Sequence, residues 1–213
     1  MKEKRIRYNS TGTYETLNNL EKSTKNVWIV LHGMGYLSRF FLKHFKGLPA
    51  DENYIVAPQA PSKYYLDSEY KHVGASWLTK ENTILETKNV LAYLEAIWEA
   101  ENIPENCNLI VLGFSQGVSI ATRWVVHKKL PVHQLVLYAG GIPDELIPAD
   151  FDFLRQDKTK IKIFIGNKDE YITEKRLKEE LKKIRSLFEG QAEVVIFEGG
   201  HELKKEIINS LVE

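Results

Sequence analysis

The sequence predicts an α/β fold: a mostly parallel sheet with helices on both faces. Short apolar runs rich in branched residues recur at Val27–Leu31, Tyr54–Ala57, Leu109–Gly113, Gln134–Ala139, Ile161–Ile165 and Glu193–Phe197. Runs without polar alternation are what strands buried on both faces look like. Segments of helical period separate most of them, and that alternation is the mark of a layered α/β architecture. No repeat, low-complexity tract or linker interrupts the order, so residues 1–213 read as a single domain without a separate cap.

The elements follow in order. Lys4–Tyr8 and Thr13–Leu17 alternate around Asn9-Ser10-Thr11-Gly12, which predicts an N-terminal β-hairpin over residues 4–17. After a polar loop, the strand Val27–Leu31 runs straight into His32-Gly33-Met34-Gly35, and Leu37–Phe45 has the spacing of a helix. Pro58 closes the strand Tyr54–Ala57. Gln59–Lys80 has no clear period and holds Tyr64, Tyr65, Tyr70 and Trp77. A loop of that length in a compact fold is usually functional, and its aromatics argue against disorder. Asn82–Asn102 is an amphipathic helix with Val90, Leu91, Leu94, Ile97 and Trp98 as core positions. Val118–Val126 is helical, and Asp144–Asp157 is irregular with a short helical turn. Thr173–Phe188 is a charged surface helix capped by Thr173, and Glu202–Val212 closes the chain as a helix.

Composition narrows the function. There are 29 basic and 29 acidic residues, so the formal charge is zero. A nucleic acid or an anionic membrane surface needs a basic excess, and neither is expected as a partner. The charges of MKEKRIRYNS have no apolar stretch behind them, and no run is long enough to span a membrane. The single cysteine, Cys107, excludes an internal disulfide. These features point to a cytoplasmic, single-domain protein. The sequence leaves the oligomeric state open.

The chemistry centres on Gly113-Phe114-Ser115-Gln116-Gly117. A strand precedes this G-x-S-x-G and a helix follows it, the context that gives the pattern meaning. The turn forces Ser115 into a strained conformation above the sheet, at a helix N-terminus that favours developing negative charge. The simpler alternative is a helix-capping serine. A serine hydroxyl needs a base to become a nucleophile, and the base needs a carboxylate to orient it. Of six histidines, only His201 follows the last strand, on a Gly-Gly hinge; His32 is read as shaping its loop. Asp169 lies four residues beyond Ile165 and is favoured as the acid over its neighbour Glu170. Ser115, Asp169 and His201 each follow a strand end, where sites on parallel sheets collect, in the order expected of an α/β-hydrolase. Two amides are needed for an oxyanion hole. The Gln116 amide follows the nucleophile, and Met34, flanked by two glycines, offers the other. This chemistry requires no cofactor and no metal.

LHGMG at Leu31–Gly35, GFSQG at Gly113–Gly117, GNKDEYI at Gly166–Ile172 and GGHE at Gly199–Glu202, with APQAP at Ala57–Pro61 and GASWL at Gly74–Leu78, resemble the phospholipase/carboxylesterase family of small α/β-hydrolases, which includes bacterial carboxylesterases and acyl-protein thioesterases. The resemblance spans residues 27 to about 205. It implies a Ser115–Asp169–His201 triad, oxyanion amides from Met34 and Gln116, and hydrolysis of carboxylic esters or thioesters through an acyl-enzyme. Tyr36, Val118 and Leu78 stand where many relatives carry Asp, Gly or Ala, and Phe; none of these is a reacting group. Tyr64, Tyr65, Tyr70 and Trp77 have two readings: they anchor the aromatic loop on the core, or Trp77 in addition walls the acyl pocket. Two alternatives remain open at this point: a catalytically silent binding module that keeps the fold, and a peptidase of the same fold.

Overall fold

A computed structural model describes residues 1–212. Nine strands and six α-helices are described. Seven strands form one sheet: β1 (Tyr14–Leu17), β2 (Asn26–Leu31), β3 (Asn53–Pro58), β6 (Asn108–Phe114), β7 (Gln134–Tyr138), β8 (Lys160–Gly166) and β9 (Glu193–Phe197). Their spatial order is β1-β3-β2-β6-β7-β8-β9. Every pairing is parallel except the antiparallel one between β1 and β3 at one edge. The remaining two, β4 (Ser62–Tyr65) and β5 (Val73–Ser76), form a separate antiparallel pair.

The pleat sends alternate residues to opposite faces, and both faces are covered. Val27, Ile29 and Leu31 of β2, Leu109 and Val111 of β6, and Ile161, Ile163 and Ile165 of β8 share one core. Helices α2 (Thr83–Glu101), α3 (Gln116–Lys128), α4 (Asp152–Gln156) and α5 (Glu174–Phe188) complete it with residues such as Leu94, Trp124, Leu154 and Phe188. Trp28, Val30, Ile110, Leu112, Phe114 and Tyr138 face the other way, onto Phe41 of α1 (Ser38–Phe41) and Ile208 of α6 (Lys205–Asn209). Burial of each large side chain contributes roughly 1.5–3 kcal/mol. Asn82 and Asn102 bracket α2, both left-handed, a conformation Asn tolerates. Thr173 caps α5 by accepting from the Arg176 amide at 3.2 Å. Among the described residues, no helix is long and apolar enough to cross a membrane.

Three expectations need correction. Lys4–Tyr8 forms no strand, so there is no hairpin over residues 4–17. Residues 14–17 pair instead with the distant β3, whose parallel neighbour β2 leaves that edge open. Gln59–Lys80 is not irregular throughout, because β4 and β5 lie within it, in the register Ser62↔Ser76 to Tyr65↔Val73. Finally, Leu37–Phe45 and Glu202–Val212 are each a short α-helix running into a 3₁₀ turn rather than one continuous helix.

Candidate active site

Ser115 stands where β6 becomes α3, with φ 53° and ψ −118°. That backbone conformation costs a non-glycine residue on the order of 1–3 kcal/mol. Close packing enforces it. A Cβ on Gly117 would lie 2.0 Å from the Leu31 carbonyl oxygen, and one on Gly113 would lie 2.5 Å from the Gly117 oxygen. Only glycines let α3 descend onto the ends of β2 and β6. The Ser115 amide donates to the Tyr138 carbonyl at 2.8 Å, which ties the turn to the end of β7.

Two further loops meet this turn. Behind β8, Gly166–Asp169 lies against the loop that follows β9. The Asn167 amide donates to the Phe197 carbonyl at 2.9 Å and the Lys168 amide to the Gly199 carbonyl at 2.8 Å, while the Asn167 side chain accepts from the Gly199 amide at 3.1 Å. These bonds hold the Asp169 and His201 loops as one unit. His201 Nδ1 lies 2.8 Å from Asp169 Oδ2, and His201 Nε2 lies 2.8 Å from Ser115 Oγ. Asp169 Oδ1 accepts from the Tyr171 amide at 2.9 Å. An acceptor carboxylate on Nδ1 places the ring proton there and leaves the Nε2 lone pair facing the serine. Phe114 and Tyr171 flank the imidazole, with ring centroids at 5.1 Å and 4.8 Å. The structure thus brings together Ser115, Asp169 and His201. Glu170, the rival carboxylate, makes no hydrogen bond or ion pair with the imidazole among the described residues.

Met34 and Gln116 sit beside Ser115 on the wall of a cavity of about 470 Å³. Among the described residues, neither backbone N–H has a hydrogen-bond partner. Side-chain contacts not foreseen from the sequence fix Gln116. Its Nε2 donates to the Leu78 carbonyl at 2.7 Å and to Ser76 Oγ at 3.0 Å, and its Oε1 accepts from the Trp77 amide at 2.8 Å. The Gln of GFSQG thereby clamps the Ser-Trp-Leu of GASWL. Co-occurrence of the two motifs was the one signal of this clamp.

Of its two readings, Trp77 holds the position of a core anchor. It is 1% exposed and lines neither of the two cavities described for this face. Its indole Nε1 donates to the His32 carbonyl at 2.8 Å, and its ring lies 5.1 Å from the His32 ring. The tryptophan sits beneath the HGMG loop because its N–H finds the buried carbonyl there. Tyr64, Tyr65 and Tyr70 are exposed rather than anchored. His32 is wholly buried. Its Nε2 accepts from the Ala60 amide at 3.1 Å, and its Nδ1 lies 2.7 Å from the Gly33 carbonyl, the pattern of a neutral Nδ1–H tautomer. Burial lowers its pKa to about 4, so it shapes the loop as an uncharged group.

Among the described residues, no group of three or more His, Cys, Asp or Glu could hold a metal ion. The family model described as Phospholipase/Carboxylesterase matches residues 13–213. No curated protein matches in sequence. Solved structures are similar over nearly their whole length. The acyl-protein thioesterase 2 of Zea mays is 16% identical at a TM-score of 0.69, with 94% of this chain and 96% of that one covered. A phospholipase/carboxylesterase from Dyadobacter fermentans is 20% identical at 0.65, with 97% and 98% covered. A carboxylesterase from Mesorhizobium loti is 15% identical at 0.70, with 94% of each covered. These likenesses show the α/β-hydrolase fold, and the family match over 13–213 assigns the chemistry class: the chain belongs to the phospholipase/carboxylesterase family of ester-hydrolysing enzymes.

Proposed function

We propose that this chain, acting as one domain over residues 1–213, hydrolyses carboxylic esters, and thioesters as a second class, through an acyl-enzyme on Ser115. The observation that carries the reading is the continuous chain Ser115 Oγ, His201 Nε2, His201 Nδ1 and Asp169 Oδ2, linked at 2.8 Å and 2.8 Å beside a cavity. Ser115 Oγ attacks the substrate carbonyl while His201 Nε2 takes its proton. Asp169 keeps the imidazole in the required tautomer and stabilises the imidazolium. The oxyanion forms toward the unpartnered amides of Met34 and Gln116, at the N-terminus of α3. The imidazolium then protonates the leaving alcohol or thiol, and a water activated by His201 releases the acid. The clamp on the Gln116 side chain supports a fixed amide, and Trp77 serves as a positioning residue beneath the HGMG loop. A single cysteine supports work in a reducing compartment such as the cytoplasm.

The test is turnover of p-nitrophenyl acetate and butyrate, and of matching acyl thioesters, by wild type, Ser115→Ala and Asp169→Asn. Wild-type turnover that falls by several orders of magnitude in both variants, with melting curves kept, is the expected result. Equal turnover by Ser115→Ala would remove the reading.

A further inference from the structure

The cavity beside Ser115 is apolar along Ile163, Ile165, Ile172 and Leu177, but α5 also presents Arg176 and Glu180 to it. These two stand four residues apart on one helix face, the spacing at which opposite charges ordinarily pair. Here they do not. The Arg176 Nη1 donates to the Tyr171 carbonyl at 2.9 Å instead. Lys183, the other nearby cation, is held by the Ile142 carbonyl and the Asp144 carboxylate. Among the described residues, no donor lies within hydrogen-bond distance of the Glu180 carboxylate. Across from it, a Cβ on Gly141 would come within 3.1 Å of Glu180 Oε1, so glycine keeps that approach open. A half-buried carboxylate with no protein donor is open to a charge-assisted hydrogen bond from a ligand that brings one. Burial also holds the Glu180 carboxyl above the ordinary carboxylate range, against the pull of Lys183 and Arg176.

We propose that Glu180 is a specificity-determining residue that receives a cationic ammonium group of the substrate, in the cavity that also holds Ser115. The proposal rests on the esterase reading above. Arg176 is the weaker candidate for recognition, because it is exposed and already donates to Tyr171. The ammonium group can belong to the acyl or to the alcohol part of the ester, and the probes separate the two.

On the acyl side, kcat/KM for p-nitrophenyl 6-aminohexanoate is divided by that for p-nitrophenyl heptanoate. On the alcohol side, butyrylcholine is divided by 3,3-dimethylbutyl butyrate. Each ratio is taken within one enzyme, wild type or Glu180→Gln, so a general loss of activity cancels. The expected result is a wild-type preference for the cation of roughly tenfold or more on one side, falling toward unity in Glu180→Gln. Ratios near unity on both sides in wild type, a preference that survives Glu180→Gln, or a preference for the anionic p-nitrophenyl hydrogen adipate would overturn the proposal. Calorimetric binding of hexylammonium decides the point without turnover: affinity should fall roughly tenfold in Glu180→Gln, and equal affinity would sink it. Absence of any wild-type ester turnover would count against the esterase reading and leave that binding comparison decisive for Glu180.

Discussion

Trp77→Phe separates a positioning role from a pocket wall. The substitution keeps an aromatic ring but removes the indole N–H that donates to the His32 carbonyl at 2.8 Å. His32 is wholly buried, so water does not replace the donor. An orphaned buried acceptor costs about 1–3 kcal/mol. The smaller ring also leaves a void in a site that is 1% exposed, which adds about 1 kcal/mol. The sum is a loss of roughly 2–4 kcal/mol, or a drop of about 5–15 °C in Tm for a chain of this size. The His32 carbonyl belongs to the strand-to-loop junction that carries the Met34 amide, so kcat should fall too. Because Trp77 lines neither cavity, the loss in kcat/KM should be the same on acetyl, butyryl and octanoyl p-nitrophenyl esters. Steady-state kinetics on the three esters and a thermal melt supply the comparison. A loss that grows with chain length at an unchanged Tm would refute this reasoning and return Trp77 to the acyl pocket.

Two further outcomes follow from backbone strain and from burial. Ser115→Gly relieves the φ 53°, ψ −118° conformation and should raise Tm by a few degrees while abolishing turnover; a lower Tm would mean that the turn stores no strain. His32 has a folded pKa of about 4 against 6.5 in the unfolded chain. Below pH 6.5 the unfolded state therefore binds a proton that the folded state refuses. The contribution of His32 is complete above pH 6.5 and is lost as pH falls toward 4, an amount of about 3 kcal/mol. Urea denaturation at pH 7, 5.5 and 4.5 should show a steeper acid loss in wild type than in His32→Gln, and parallel curves would count against a neutral buried histidine.

The parts of the fold that were legible in the sequence are those in which one physical rule acts alone. Val27–Leu31 and Leu109–Gly113 are apolar on both faces and lie at the centre of the sheet. Thr83–Glu101 and Glu174–Phe188 keep a helical period and helix-terminal residues, and the observed ends lie within one residue of the expected ones. Motif context picked out Ser115, and strand order brought Asp169 and His201 to it, because parallel strands bring their following loops to one edge. Illegible were features decided by distant partners. Tyr14–Leu17 had equal local reason to pair with Lys4–Tyr8 and pairs with β3. Ser62–Tyr65 is exposed throughout, so β4 carries no alternation to read. Trp77 could be read equally as a core anchor or a pocket wall, because the carbonyl that draws it inward lies 45 residues away in sequence. The exposure of Glu180 to the Ser115 cavity was hidden for the same reason, since α5 reads as a solvated charged helix.

The central claim is that Ser115 is the one nucleophile, activated by His201. Its most direct measurement is reaction of the folded protein with a fluorophosphonate, followed by intact mass and peptide mapping. The account predicts one adduct per chain, on Ser115, and no adduct in Ser115→Ala or after denaturation. An adduct on another residue, or equal labelling of Ser115→Ala, would contradict it.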